Sequence, residues 1–204
     1  MIGIIDFNAG NLKSITNALK KKNLSYSIIK EPANIENFSH FIIPGVGSYN
    51  FAIKEIKIRK LDKFIKDIKQ KNKPILGICL GMQILSTYGN EIERVNGLNL
   101  IDGEVISIDE LNPQKNIHIG WNNIDVKAET KLFDAINLKC EFYFIHSFFF
   151  NPKNKKNILC ETKYSKKFAS GVIKDNTIGL QFHPEKSHNH GLKILENFYN
   201  NYNA

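Results

Sequence analysis

Pro74-Ile-Leu-Gly77-Ile-Cys79-Leu-Gly81-Met-Gln83 reads as a short apolar strand that runs without a spacer into a helix. A buried strand handing directly to a helix is the repeating unit of an α/β fold. Glycines on both sides of Cys79 permit the sharp, strained strand-to-helix turn known as a nucleophile elbow. Such a turn sets a thiol at a helix N-terminus, where the backbone amides and the dipole favour thiolate. The same amides, beginning with that of Leu80, are placed to stabilise an oxyanion. The helix is expected over Met82 to Tyr88. On these residues alone, a structural cysteine buried in the turn fits equally well.

Outward from this segment, the first half alternates the same two elements. Ile2 to Asp6 is an apolar run, followed by a helical stretch from Asn11 to Lys22. Leu24 to Ile29 and Phe41 to Pro44 are further strands, and two helical segments cover roughly Tyr49 to Asn72. Right-handed βαβ units and a parallel sheet with both faces covered follow from that rhythm. After about Asn90 the pattern changes to strands near 98–109, 117–126, 141–146, 157–163, 168–174 and 177–182. Turn signals such as Asn112-Pro113, Asn151-Pro152 and Asp175-Asn176 separate them, which points to antiparallel hairpins. A last helix begins near Asn189 with Leu192, Leu195 and Phe198 on its apolar side. The expected fold class is α/β: one domain over residues 1–204, with a mixed, mainly parallel sheet flanked by helices.

Gly179-Leu-Gln181-Phe-His183-Pro-Glu185-Lys186 is the second informative segment. It reads as a strand running into a proline-stiffened turn, with His183 and Glu185 two residues apart and on one side of an extended chain. A carboxylate so placed fixes one imidazole tautomer and leaves the other nitrogen to work on a thiol. A surface turn carrying a solvated glutamate is the bland alternative. Together with an elbow cysteine, the order Cys79…His183…Glu185 is that of a spatially assembled triad.

Composition narrows the rest. Three cysteines, Cys79, Cys140 and Cys160, lack any CxxC pairing, which argues against both a disulfide framework and a structural zinc site. Cys140 and Cys160 fall in expected strands and read as core, while His40 and His118 have no assigned chemistry. His188-Asn-His190, without a clear third ligand, reads as surface or capping residues; no metal is expected. Net charge is +8 and the isoelectric point about 9.3, which raises nucleic acid as a partner. Arg59 and Arg94 are the only arginines, however, and arginine is the residue suited to bidentate phosphate and base contacts. The lysines from Lys54 to Lys73 interleave with Ile58, Leu61, Phe64, Ile65 and Ile68, the pattern of an amphipathic helix with a solvated face. No nucleic-acid role is expected. No apolar run approaches the roughly 20 residues that span a bilayer, and Met1 to Asp6 has no basic n-region. A cytoplasmic protein without membrane contact is expected.

These residues resemble the class I, or triad-type, glutamine amidotransferases, whose Gly-x-Cys-x-Gly-x-Gln is present here through Gln83 and whose late His-Pro-Glu is His183-Pro184-Glu185. The resemblance narrows to the glutaminase subunit of imidazole glycerol phosphate synthase. Asp6-Phe-Asn-Ala-Gly-Asn-Leu12, Pro44-Gly-Val-Gly47, His118-Ile-Gly-Trp-Asn122, Phe144-Ile-His-Ser147 and Gln181 to Ser187 are similar to that subunit's blocks, and they cover nearly the whole chain. The resemblance implies that Cys79 attacks glutamine, that His183 is base and acid, and that Glu185 orients it. It further implies an oxyanion strand over Gly45, Val46 and Gly47, joined by the Leu80 amide, with Gln83 and the backbone near Ser147 holding substrate. Neither metal nor organic cofactor is implied. Phe7, Phe148 and Phe149 depart from the family, which commonly has tyrosine at those places, so hydrogen bonds carried by those hydroxyls do not transfer.

No region of the chain reads as an ammonia-accepting domain, and free ammonia is mostly protonated at neutral pH. A partner must therefore supply the acceptor site. By resemblance it is a (β/α)8-barrel cyclase subunit, forming a heterodimer within histidine biosynthesis and docking on Asn11, Trp121, Asn122 and Lys186. Three alternatives stand beside this reading. A paralogous glutaminase would feed a sugar amidotransferase in surface glycan synthesis. A dead amidotransferase scaffold would serve as a binding module, which the intact Cys79, His183 and Glu185 oppose. A nucleic-acid binder would rest on charge alone.

Overall fold

The computed structural model describes residues 1–202. Its first half is a run of crossovers: β1 (Ile2–Ile5), α1 (Leu12–Lys21), β2 (Tyr26–Ile29), β3 (His40–Gly45), α2 (Tyr49–Ile58), α3 (Leu61–Gln70), β4 (Ile75–Cys79) and α4 (Leu80–Gln83). The second half carries β5 (Tyr88–Asn90), β6 (Arg94–Asn96), β7 (Gly103–Ser107), β8 (His118–Asn122), β9 (Asp125–Val126), β10 (Phe142–His146), β11 (Phe148–Pro152), β12 (Ile158–Tyr164), β13 (Lys166–Lys174), β14 (Thr177–Leu180) and α5 (His188–Asn201).

The main sheet has the order β2-β1-β3-β4-β14-β13-β12-β9. Pairings from β2 through β14 are parallel, and those from β14 to β9 are antiparallel. This is the mixed, mainly parallel sheet expected. Alternation along the central strands divides the core into two layers. Phe41, Ile43 and Ile75 pack with Ile53 and Ile56 of α2 and Phe64, Ile65 and Ile68 of α3. Ile42, Leu76 and Ile78 face the other way, toward Ile15 and Leu19 of α1 and Ile194, Leu195 and Phe198 of α5. Each fully buried side chain of this kind contributes about 2 kcal/mol. That packing, rather than propensity, holds helices of 10 residues, which are marginal in isolation.

Several sequence expectations need correction. The two helical segments expected over Tyr49 to Asn72 are present, but they part inside the amphipathic lysine-rich stretch, where Lys60 takes a left-handed φ of 58°. The break turns Ile58, expected on the apolar side, out to 63% exposure. The helix after Cys79 is a single turn, Leu80–Gln83, and Tyr88 already begins a strand. That strand joins a second sheet of order β11-β7-β5-β6, in which β5, β6 and β11 lie outside the expected strands. The segment 98–109 is strand only over Gly103–Ser107, and 117–126 splits into β8 and β9. Cys160 is buried in β12 as expected, whereas Cys140 is half-buried and outside any strand.

Parallel α/β sheets gather ligands at the carboxyl ends of their strands. Here those ends are the loop after β1, Gly45 at the end of β3, Cys79 at the end of β4, and the turn after β14, where Gln181 and His183 stand.

Candidate active site

Cys79 has φ 54° and ψ −109°, a conformation that non-glycine residues avoid. Holding it costs on the order of 1–3 kcal/mol, which the packing of β4 against α4 must overcome. The glycines beside it are sterically required. A Cβ on Gly77 would lie 2.5 Å from the Gly81 carbonyl oxygen, and one on Gly81 would lie 1.7 Å from the Ile43 carbonyl oxygen. Only hydrogen at both positions lets the elbow close onto β3. Because α4 is one turn long, its dipole is small; the nearby unpaired amides, Leu80 first, carry what electrostatic pull it has.

The second segment is the strand running into a proline-stiffened turn that was expected. β14 ends at Leu180, and His183 caps a single 3-10 turn, Pro184–Lys186, so that His183 to Glu185 is not extended throughout. The turn still brings His183 Nδ1 within 2.8 Å of Glu185 Oε1. Backbone and Ser187 lock the residue: His183 N–H donates to Tyr143 O at 2.9 Å, and Ser187 Oγ donates to His183 O at 2.7 Å. His183 is 1% exposed, and its Nε2 is buried without a hydrogen-bond partner. Burial disfavours the imidazolium, but Cys79 and then Glu185 outweigh it and raise the ring to about 10. That is the electrostatic arrangement of an imidazolium held between a sulfur and a carboxylate.

A cavity of about 390 Å³ opens over the sulfur. Val46, Gly47, Leu80, Gln83, Ser147 and Lys186 line it with Cys79. Gly45 is buried one step behind, registered against Cys79 in the sheet. One expectation needs qualification: the Val46 amide donates to Ala9 O at 3.2 Å, so in this conformation it does not face an oxyanion. Ser147 O is likewise committed, accepting from Ile108 N at 2.9 Å.

The residues expected on a docking face are dispersed in role. Trp121 is 42% exposed, next to Ile119 at 59%, and its indole stacks flat on His188 at 4.6 Å. It is a surface residue and not core. Lys186 sits over the Tyr143 ring at 5.5 Å, at the rim of the cavity. Asn11 caps α1, its Oδ1 accepting from Ser14 N at 3.2 Å. Asn122 is drawn inward to His118. His190 Nε2 donates to Glu141 O at 2.6 Å, and among the described residues no His, Cys, Asp and Glu cluster that could hold a metal is present.

Four residues at the site carried no expectation. Glu91 lines the cavity and accepts from Tyr49 N at the start of α2. Gln181, fully buried, donates from Nε2 toward Cys79 Sγ at 3.7 Å. His146 and His118 form a buried pair, with His118 Nδ1 3.0 Å from His146 Nε2. His146 Nδ1 lies 2.8 Å from Phe148 O. A carbonyl only accepts, so His146 carries its proton on Nδ1 and offers Nε2 as an acceptor to His118 Nδ1–H. The signal was present only as the motifs His118-Ile-Gly and Ile145-His146-Ser; nothing in spacing showed that they pair.

Burial drives His118 down to about 4 and His146 to about 3 from an ordinary 6.5. Both folded values lie below the unfolded one, so their stabilisation is present above about 6.5 and lost as pH falls toward 4. His183, raised, acts in the opposite window: its contribution is complete below about 6.5 and is lost as pH rises. Urea midpoints should therefore decline between about pH 6.5 and 4.5, before most carboxylates titrate. His118→Phe should shallow that decline; an unchanged slope would contradict the neutral pair.

With the geometry established, residues 3–202 match the sequence family described as Glutamine amidotransferase class-I. The chain belongs to the class I glutamine amidotransferases, and it is an enzyme of that class. Among its relatives, the imidazole glycerol phosphate synthase subunit HisH 2 of Methanococcus maripaludis is 40% identical over 97% of this chain and 98% of the relative. Subunit HisH 1 of Campylobacter jejuni is 40% identical over the same shares. Among solved structures, PurLQS of Thermotoga maritima superposes with a TM-score of 0.77 at 19% identity, covering 98% of this chain and 97% of that one. A glutamine amidotransferase of the same organism gives 0.67 at 19% identity, over 98% and 82%. The structural likenesses establish the fold alone.

Proposed function

We propose that Cys79, His183 and Glu185 are the triad with which this chain, the glutaminase subunit of an imidazole glycerol phosphate synthase, splits ammonia from glutamine. The observation that carries the reading is the meeting of a strained elbow cysteine with a buried imidazole. One nitrogen of that imidazole is bonded to Glu185 and the other is buried and unpaired, and Cys79 is near enough to favour the ring's charged form. Cys79 Sγ attacks the γ-carboxamide carbon; as the C–S bond forms, the carbonyl electrons move onto oxygen. The amides of Leu80 and Gly47 stabilise that oxyanion, and Val46 joins once its bond to Ala9 opens, which makes the strand over Gly45 to Gly47 a gate. His183 Nε2 passes its proton to the leaving nitrogen as the C–N bond breaks. It then takes a proton from water, which attacks the γ-glutamyl thioester and releases glutamate. Gln83 and the backbone at Ser147 hold the substrate.

Residues 1–204 act as one amidotransferase domain, and the acceptor chemistry belongs to a (β/α)8-barrel cyclase subunit of a heterodimer in the cytoplasm. The exposed Ile119 and Trp121, with Lys186 at the cavity rim, support docking on this side, where Asn11 and Asn122 also belong. Among the described residues no helix is long and apolar enough to cross a membrane. The synthase names of the relatives favour histidine biosynthesis over a paralogous role in glycan synthesis. Growth of a deletion strain without added histidine would reverse that choice.

Glu185→Gln keeps the shape but loses the charge that orients His183, and it should lower kcat by about 10²–10⁴-fold with the fold retained. Measured turnover within a factor of about two of wild type would remove Glu185 from the triad. Glutaminase turnover should be slow alone and rise sharply with the cyclase and its bound ligand. Equal activity of the free and assembled subunit would count against the gate.

A further inference from the structure

Asn122 Nδ2 donates to Lys163 O at 3.1 Å, and its Oδ1 accepts from Asn123 N at 2.9 Å. Those two bonds fix which way the amide faces, so Nδ2 is the atom 3.2 Å from His118 Nε2, which must accept. His118 then donates from Nδ1 to His146 Nε2, and His146 donates from Nδ1 to Phe148 O. The same carbonyl accepts from Gln83 Nε2 at 2.8 Å. The second Gln83 N–H goes to Gln181 Oε1 at 3.2 Å, which leaves Gln181 Nε2 as the group facing Cys79 Sγ. Every orientation from Asn122 to the sulfur is thus dictated by its neighbour. Turning any one amide or ring would set like atoms together in a buried site, at the full cost of an unsatisfied polar group.

We propose that His118 and His146 are positioning residues for the glutaminase reaction: by anchoring the Phe148 carbonyl they fix Gln83 and, through it, present Gln181 as a donor to the Cys79 sulfur. His118 does not line the cavity. Its ring lies between those of Phe144 and Tyr164, at 4.6 and 4.2 Å, so a ring of similar shape retains the packing and removes only the hydrogen bonds. Both N–H groups of Gln83 are spent, so what Gln83 offers the cavity is its oxygen, an acceptor suited to an ammonium group of the substrate.

This proposal rests on the triad reading, and the test separates the two. Nitrogen NMR of histidine-labelled enzyme in the assembled complex should show His146 neutral and protonated on Nδ1 near neutral pH. A His146 protonated on Nε2 overturns the proposal whatever the activity. In the same complex, His118→Phe should lower kcat about tenfold, with KM for glutamine raised as Gln83 loses its fixed place. His118→Asn, which keeps a donor near the Nδ1 position, should recover kcat to within about threefold of wild type. Wild-type kcat in the Phe variant, or no recovery in a folded Asn variant, overturns the proposal. Should the Phe variant not fold, the tautomer and the Asn variant decide. Absence of ammonia release by the wild-type complex would instead refute the triad reading, with the tautomer still measurable.

Discussion

Cys79→Ala should abolish ammonia release from glutamine in the assembled synthase, by about 10⁴-fold or more, while leaving the fold and the partner complex intact. The size of the effect follows from the chemistry. Without the sulfur no thioester forms, and His183 has only water to activate. What remains is the oxyanion site and the binding cavity, and these alone recover little. The substitution also removes the group that raises His183, leaving burial opposed only by Glu185. The other two thiols cannot substitute. Cys160 is fully buried in β12 with its thiol pushed up to about 12 by burial, and Cys140 lies away from the cavity with burial likewise raising it. Ammonia release measured by a coupled assay on purified complex decides the matter. Residual turnover within about a hundredfold of wild type would move the nucleophile elsewhere.

Gly81→Ala should be the most damaging small substitution in the elbow. Its Cβ would sit 1.7 Å from a backbone oxygen of β3, and a backbone strand in the centre of the sheet has no way to yield locally. Either β3 separates from α4 or the elbow unwinds, and both dismantle the site. A destabilisation of at least about 3 kcal/mol is expected, which is a fall in Tm on the order of 10 °C for a chain of this size. Gly10→Ala is the control: its Cβ would meet nothing closer than 3.7 Å, so its Tm should stay within a few degrees. Calorimetry of the two variants side by side checks the contrast, and a Gly81→Ala protein as stable as the control would show that the elbow is not closed as described.

Where the sequence was legible, local pattern and buried packing agreed. The apolar runs of β1, β3 and β4 need no partner to be recognised, because strands buried on both faces are apolar throughout. The elbow was legible because its glycines are needed by the backbone itself. The strand running into a proline-stiffened turn is legible at Gly179 to Lys186; what differs is that the turn is 3-10, so His183 and Glu185 meet across it and not along an extended chain.

The illegible parts depend on distant pairing. Tyr88 reads as the end of a helix because the strand character of Tyr88–Asn90 comes from Arg94–Asn96 and Gly103–Ser107 beside it. Phe148–Pro152 carries a proline tolerable only because the strand pairs on one side, with β7, at the edge of its sheet. Ile58 is turned out by a two-residue break that periodicity does not register. His118 and His146 stand 28 residues apart, and the two blocks that hold them meet only through the antiparallel register of β8 and β10. The four residues without a prior expectation share one property: each makes at least one contact with a residue far away in the chain, which only the fold brings near.

The central claim is that glutamine is opened by covalent attack from Cys79. Incubating the complex with labelled glutamine, quenching in acid during turnover and mapping peptides by mass spectrometry tests it directly. A γ-glutamyl thioester on the peptide containing Cys79, absent from those containing Cys140 and Cys160 and lost in Cys79→Ala, is the predicted result. Steady ammonia release with no adduct on Cys79, or with the adduct on another residue, would contradict it.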